Sequence, residues 1–142
     1  MKYVSSSLEE TQKIADDFVK KISPRDGALV VGLSGDLGAG KTAFAKCVAK
    51  TFGVEETVTS PTFVIEKIYE LSNQKFTHLI HIDAYRLDSS AELLNLGWTK
   101  IISDPKNIIL IEWSERVSDI MPEHIKLNLR ALEEGKHEIE VV

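Results

Sequence analysis

The segment Gly35–Thr42 carries the clearest chemistry in the chain. It reads GDLGAGKT and so satisfies the pattern G-x-x-x-x-G-K-[ST] of loops that bind nucleotide phosphates. Its glycines let successive backbone N–H groups turn toward the phosphates, the Lys41 ammonium reaches the β- and γ-phosphates, and the Thr42 hydroxyl binds Mg²⁺. We therefore predict that this segment binds a nucleoside triphosphate together with Mg²⁺.

Two acidic residues close apolar segments and are the candidate partners of this loop. Glu112 ends the run IILIE, where a metal-binding acid of P-loop enzymes commonly stands, and Asp83 ends HLIHID. A triphosphate site needs such an acid, either to help bind Mg²⁺ or to orient the attacking water. The candidate catalytic residues are thus Lys41, Asp83 and Glu112, and the residues alone leave the roles of the two acids open.

The glycine loop has the neighbours that a phosphate-binding loop requires. The run ALVVGL at 28–33 is short, Val-rich and apolar on both faces, which predicts a buried, central, parallel strand. Apolar residues at helical spacing follow from 42 to 52, so a helix should begin at the loop and add its N-terminal partial charge to the phosphate site. A capping box formed by Ser7 and Glu10 opens another amphipathic helix over 8–22.

Further segments complete an α/β pattern. Ser89 and Glu92 form a second capping box, which opens a short helix that Gly97 ends. We expect an exposed loop at 57–63, a hairpin of 63–71 with 76–83, a strand at 108–113, and a closing hairpin of 125–129 with 139–141. The fold class is therefore α/β: residues 1–142 form a single P-loop NTPase-like domain, whose mixed sheet has a parallel centre, flanking helices and a C-terminal β-hairpin.

Composition excludes several classes of function. The 142 residues include 17 Lys and Arg against 22 Asp and Glu, a net charge of -5, so no general basic field holds DNA or RNA. The single cysteine, Cys47, cannot form an internal disulfide, which favours a reducing, cytoplasmic location. No apolar run approaches the roughly 20 residues of a membrane-spanning helix, and we expect no membrane association.

The absence of certain motifs indicates which nucleotide base the site selects. The chain has no N-K-x-D motif to select guanine, which favours adenine, and little length for the arginine-bearing lid of a small kinase. ATP hydrolysis coupled to a partner is therefore favoured. A small-molecule kinase and a nucleotide-sensing module that does not hydrolyse ATP remain as alternatives.

Four motifs together resemble a known family. GDLGAGKT at 35–42, SPTF at 60–63, H-x-D-x-Y-R-L from His81 to Leu87, and IEW at 111–113 occur in the order and spacing of the bacterial TsaE (YjeE) proteins. The resemblance covers nearly the whole chain.

This resemblance implies a Mg-ATP-dependent ATPase that acts with the TsaB and TsaD proteins. The complex makes N6-threonylcarbamoyladenosine next to the anticodon of tRNAs that read codons starting with A. TsaD performs the transfer, and the TsaE subunit drives or resets the cycle by ATP hydrolysis. Contact with tRNA is then indirect, through the complex, which agrees with the acidic charge.

The resemblance also implies roles for individual residues. Thr42 and Glu112 would bind Mg²⁺, and Asp83 would lie near the γ-phosphate as a water-orienting or switch carboxylate. The triphosphate-binding residues would be Leu37, Gly38, Ala39, Gly40, Lys41 and Thr42. Adenine would lie between the start of the first helix, at Leu8 to Thr11, and the last hairpin turn, at Gly135 and Lys136.

Three further expectations concern residues around these motifs. Residues 59–62 (Thr59, Ser60, Pro61 and Thr62) would change position between ATP and ADP states. His78 and His81 lack a third metal ligand and are interpreted as ordinary strand residues. Cys47, on the helix after the glycine loop, is interpreted as a small core residue.

Overall fold

A mixed seven-stranded sheet forms the centre of the protein in a computed structural model that describes residues 1–54, 66–72 and 75–142. The strand order is β1-β7-β6-β2-β5-β4-β3. The strands are β1 Lys2–Ser5, β2 Leu29–Ser34, β3 Glu66–Glu70, β4 His78–Asp83, β5 Asn107–Glu112, β6 Ile125–Ala131 and β7 His137–Val141. The four strands β6, β2, β5 and β4 are parallel, while β3, β7 and β1 pair antiparallel at the two sides.

The helices cover both faces of this sheet. They are α1 Leu8–Lys21, α2 Lys41–Thr51, α3 Ser90–Asn95 and α4 Trp98–Ser103, with 3-10 turns at Ala84–Arg86, Ser114–Ile120 and Glu133–Gly135. Val31 and Leu110 pack in the core with α1 and α2, whereas Val30 and Ile109 pack in a second core that includes α3 and α4. Alternate residues of β2 and β5 thus enter opposite cores, which explains why both strands are apolar throughout.

Most of the predicted architecture is confirmed. The structure has the parallel centre, the helices after 8 and after the glycine loop, the β3–β4 hairpin and the closing β6–β7 hairpin. Cys47 is buried in the α1–α2 core, as interpreted. The predicted loop at 57–63, including the nucleotide-sensing segment at 59–62, lies outside the described residues.

Two elements were not predicted. The edge strand β1 has only four residues and pairs with β7, so it takes its conformation from a distant partner rather than from a local pattern. Gly97 ends α3 as expected, but it also begins α4 in the left-handed conformation, with φ of 86°. Trp98 then fixes α4 by burying its ring and donating from Nε1 to the Ile120 carbonyl over 3.0 Å.

The two capping boxes form to different extents. At α1 the Ser7 hydroxyl accepts from the Glu10 N–H, and the Glu10 carboxylate accepts from the N–H of Ser6. At α3 the Ser89 side chain makes no capping bond, and only the Glu92 carboxylate acts, accepting from the Asp88 N–H over 3.0 Å. The second predicted capping box therefore forms only in part.

Polar bonds fix α1 against the C-terminal half of α2. The Gln12 amide donates to the Cys47 carbonyl over 3.0 Å and to the Thr51 hydroxyl over 2.9 Å. The same hydroxyl donates to the Asp16 carboxylate, and the hydrogen bonds that Thr51 and Gln12 donate to this carboxylate lower the pKa of Asp16. The helix that follows the glycine loop is thus tied at its far end to the first helix.

Candidate functional site

The glycine loop connects the central strand β2 to α2, and two of its glycines have a steric reason. At Gly35, with φ of 150°, a Cβ atom would collide with the Leu129 carbonyl oxygen of the neighbouring strand. Gly40 is the N-cap of α2 with φ of 98°, a left-handed conformation that other residues rarely adopt. The first N–H groups of α2 have no partner within the helix and are available to an anion at the loop.

The Lys41 side chain lies inside this loop and is 5% exposed. Its Nζ atom donates to the carbonyls of Gly35 and Asp36, over 2.9 Å to Asp36, and lies 4.2 Å from the ring centroid of Trp113. Burial lowers the pKa of Lys41, and the nearby carboxylate of Glu112 opposes that shift. The ammonium is thus placed at the loop in a poorly hydrated position, where its attraction for an anion is strong.

Thr42 and Glu112 meet at the start of α2. The Thr42 hydroxyl donates to Oε1 of Glu112 over 2.9 Å, and Glu112 is 3% exposed. Strands β2 and β5 are paired neighbours in the parallel part of the sheet, and β5 ends at Glu112 beside the loop that leaves β2. The topology therefore brings a residue from each side of the predicted site into direct contact.

Asp83 lies beside Glu112 because the two residues are paired in the register of β4 and β5. Its Oδ1 atom accepts from the Tyr85 N–H over 3.0 Å, and the side chain is half-buried. Burial raises the pKa of Asp83, the bond from Tyr85 opposes this, and the charge of Glu112 adds to it. Two carboxyl groups with different surroundings therefore stand at the carboxyl ends of adjacent parallel strands.

The chemistry of these donors fits Mg²⁺. A hydroxyl and a carboxylate are hard oxygen ligands, and Mg²⁺ in nucleotide sites is held by one or two carboxylates together with phosphates and water. Within residues 1–54, 66–72 and 75–142, no three His, Cys, Asp or Glu side chains are grouped so that they could hold a metal by themselves. Thr42 and Glu112 would accordingly bind Mg²⁺ only with help from a bound phosphate.

A cavity of about 430 Å³ brings most of the predicted residues together. It is lined by Leu37, Gly38, Ala39, Gly40, Lys41, Thr42, Ala43, Asp83, Tyr85, Arg86, Glu112 and Trp113. The Tyr85 and Trp113 rings pack 5.0 Å apart at its wall, and Trp113 has a left-handed backbone with φ of 60°. Tyr85, Arg86 and Trp113 were not among the site residues predicted from the sequence, although each lies close to one of the acids in the chain.

An apolar groove continues from this cavity between α1 and α2. Both include Thr42 and Ala43, and the groove, of about 670 Å³, is further lined by Leu8, Glu9, Gln12, Lys46, Cys47 and Lys50. Leu8 is 70% exposed there. A flat apolar ring would bury this leucine and the helix surface at Ala43 and Cys47.

The other residues predicted to contact adenine lie apart from this groove. The Thr11 hydroxyl is bonded to the Ser5 hydroxyl, within 2.6 Å, and to the Ser7 carbonyl. Gly135 and Lys136 form the turn between β6 and β7, and Lys136 lines a separate depression with Arg130 and Glu134. Ser5 pairs with His137 in the register of β1 and β7, which places this turn near the first turn of α1.

His81 is a site residue that sequence reasoning missed. It was interpreted as an ordinary strand residue, yet its Nε2 atom lies 2.6 Å from Oε2 of Glu112. The signal was available in the alternation of β4, since His81 and Asp83 are two residues apart and share a face. What the sequence did not reveal was the β4–β5 register, which puts Leu110 opposite His81 and Glu112 diagonal to it.

No helix in the described part of the chain is long and apolar enough to cross a membrane.

The strand–glycine loop–helix unit on a parallel sheet, with acids ending the adjacent strands, is the arrangement of P-loop-like α/β proteins. The family model described as "Threonylcarbamoyl adenosine biosynthesis protein TsaE" matches residues 5–139. The chain therefore belongs to the TsaE family, which acts in the biosynthesis of threonylcarbamoyladenosine in tRNA.

Individual relatives agree with this assignment. The tRNA threonylcarbamoyladenosine biosynthesis protein TsaE of Rickettsia conorii is 42% identical over 133 residues, which cover 92% of this chain and 71% of that protein. The TsaE protein of Treponema pallidum is 35% identical over 142 residues, 99% of each chain. The crystal structure of Bacillus subtilis YdiB superimposes with a TM-score of 0.78 at 27% identity, covering 99% of this chain and 83% of the other.

Proposed function

We propose that this protein is a Mg-ATP-dependent ATPase that works in complex with TsaB and TsaD during tRNA threonylcarbamoyladenosine synthesis, and that it contacts tRNA only through the complex. The observation that carries the proposal is the convergence of Lys41, Thr42, Asp83 and Glu112 on one cavity at the ends of parallel strands. That set combines a cation for phosphates, two oxygen ligands for Mg²⁺ and a second carboxylate for water. The proposed location of the protein is the cytoplasm.

The cavity and the groove together offer a place for each part of ATP. The glycine loop and Lys41 would hold the phosphates, and Thr42 with Glu112 would hold the Mg²⁺ that neutralises them. The groove at Leu8 and Ala43 would cover the adenine ring, since it is apolar and shares Thr42 and Ala43 with the cavity. Gly135 and Lys136, which lie outside this groove near the start of α1, are further proposed contacts of the adenine ring.

Asp83 is proposed to act on the attacking water. In hydrolysis the water oxygen bonds to the γ-phosphorus, the bond from that phosphorus to the β–γ bridging oxygen breaks, and ADP and phosphate leave. The water gives up a proton in this step, and a half-buried carboxylate with a raised pKa is suited to orient the water and receive that proton.

The test is phosphate release from Mg-ATP by the purified protein, alone and with TsaB and TsaD, compared with Lys41→Ala. We expect strong stimulation by the partners and its loss in Lys41→Ala, because the phosphates lose their buried cation. The same variant should fail to support tRNA modification. Unchanged modification by Lys41→Ala would refute the proposal.

The two alternatives give different products in the same assay. A small-molecule kinase would transfer phosphate to an acceptor rather than release it. A nucleotide-sensing module would bind ATP or ADP tightly without hydrolysis, even with both partners present. A slow rate for the isolated protein agrees with the proposal, since the partners supply the stimulation.

A further inference from the structure

His81 is almost completely buried on the central part of the sheet. Its side chain is 2% exposed, and that of Glu112 is 4% exposed. The imidazole Nε2 atom and the carboxylate Oε2 atom are 2.6 Å apart, a short hydrogen bond between two groups that water barely reaches. His81 is not one of the described residues that line the phosphate cavity. It contacts the site through Glu112, on the side of Glu112 that faces away from Thr42.

The two oxygens of Glu112 have different partners. Oε1 accepts from the Thr42 hydroxyl over 2.9 Å, on the side of the cavity, and Oε2 faces His81. A carboxylate can only accept, so the shared proton belongs to Nε2 of His81. The other ring nitrogen, Nδ1, is buried and has no hydrogen-bond partner in the described part of the chain. A proton there would be left without an acceptor, so these contacts assign the ring proton to Nε2.

We propose that His81 is the positioning residue for Glu112, and this inference rests on the proposed role of Glu112 as a Mg²⁺ ligand. The terminal torsion of a glutamate is broad and has no strong preference of its own. The bond from Nε2 fixes that torsion, so Oε2 is held by the imidazole and Oε1 is directed toward Thr42 and the phosphate cavity. His81 thereby sets which oxygen meets the metal and in what orientation.

The structural basis of this arrangement is the sheet itself. His81 and Asp83 share one face of β4, and Glu112 is diagonal to His81 on β5. Both strands lie in the parallel centre, where neighbours on each side hold them. A donor on such a strand orients a metal ligand more rigidly than a donor on a loop, and partners of this kind typically change metal affinity about 10- to 100-fold when they are removed.

The test compares three variants of the whole protein. His81→Leu removes the donor at similar volume, and His81→Gln keeps an N–H donor at the position of Nε2. The matched control is His78→Leu, the same change on the same strand, where the histidine contacts Thr77 and is partly exposed. Binding of Mn²⁺, as a stand-in for Mg²⁺, is measured by electron paramagnetic resonance in the presence of ADP, and ADP binding is measured without metal by calorimetry.

We expect His81→Leu to weaken ADP-dependent Mn²⁺ binding by about 10-fold or more. His81→Gln should stay within about threefold of the wild type, and His78→Leu should be unchanged. Metal-free ADP binding should be the same in all four proteins, because the glycine loop is intact. A purely structural role of His81 would instead weaken ADP binding with and without metal.

Three results would overturn the inference: wild-type Mn²⁺ affinity in His81→Leu, a loss in folded His81→Gln equal to that in His81→Leu, or an equal loss of metal-free ADP binding. If the wild type itself bound no Mn²⁺ with ADP, the proposed function would fail and this inference with it. If the His81→Leu protein does not fold, nitrogen NMR of the imidazole in the wild-type protein tests the inference instead. We expect a proton on Nε2 alone, and a protonated Nδ1 contradicts the assignment.

Discussion

The ends of β4 and β5 are neighbours in the sheet, yet they present carboxyl groups of opposite character. Glu112 is buried and has a partner on each oxygen, Thr42 and His81. Asp83 is half-buried, accepts a backbone N–H from Tyr85, and has a raised pKa because of its burial. One acid is therefore held in a fixed orientation, which suits the proposed metal ligand, while the surroundings of the other suit the proposed proton acceptor.

Glu112→Gln should have the largest effect on ATP hydrolysis, because it changes the carboxyl group whose two oxygens both have fixed partners. The amide has one acceptor oxygen instead of two, so either Thr42 or His81 faces an NH₂ group. We expect partner-stimulated ATP hydrolysis to fall at least about 10³-fold, because the metal normally provides several kcal/mol of transition-state stabilisation. Phosphate release measures the rate, and the ADP affinity with and without Mg²⁺ should become equal. Metal-dependent binding that survives in Glu112→Gln would remove the metal role from Glu112.

Asp83→Asn tests the other strand end and should lower hydrolysis about 100-fold, as expected for the loss of a proton acceptor. The amide oxygen can still accept from the Tyr85 N–H, so the local structure is kept. Mg²⁺-dependent ADP binding should change little, in contrast to Glu112→Gln. Asp83→Asn could instead abolish metal-dependent ADP binding and leave hydrolysis at the wild-type rate when Mg-ATP is saturating. The proposed roles of Asp83 and Glu112 would then have to be exchanged.

These same residues show how much of the site can be predicted from the sequence. GDLGAGKT predicted the loop, the strand before it and the helix after it, because the motif and the apolar periodicity agree locally. The acids Asp83 and Glu112 were found from their positions at the ends of apolar runs. Their different roles were left open, since burial and hydrogen-bond partners depend on the register of β4 and β5.

The misses have the same physical cause. His81 looked like an ordinary strand residue because its partner is 31 positions away in the chain. The strand β1 forms through pairing with β7 at the other terminus, and no local pattern encodes that pairing. Local chemistry thus predicted the elements and the motif, whereas contacts between distant strands decided which side chains meet.

The raised pKa of Asp83 predicts that the free energy of unfolding of the protein depends on pH. Its folded pKa lies above its ordinary value of 3.8, so in the window between these values the native state retains a proton that the unfolded chain has lost. The free energy of unfolding therefore falls as pH rises through the window, and the penalty persists at neutral pH. Asp83→Asn has no such penalty, and we expect it to be more stable than the wild type at about pH 7.

Urea unfolding followed by circular dichroism at several pH values measures this effect. The advantage of Asp83→Asn should be constant around neutral pH and should shrink as pH falls through the raised pKa of Asp83 toward 3.8. Lys126→Gln, an exposed change on β6, serves as the control and should show no such trend. A wild type that is more stable than Asp83→Asn at neutral pH would mean that the carboxylate form is favoured in the fold.

The smallest expected effect concerns the two rings that join the strand ends. Tyr85 follows Asp83 by two residues, Trp113 follows Glu112 directly, and their ring centroids are 5.0 Å apart. A double-mutant cycle with Tyr85→Leu and Trp113→Leu should give a coupling of about 0.5 kcal/mol in the free energy of unfolding, the low end for aromatic pairs, since Tyr85 is 45% exposed. Tyr85→Phe keeps the ring and should retain the coupling with Trp113. A coupling near zero would mean that the contact between the two rings adds nothing to the stability of the fold.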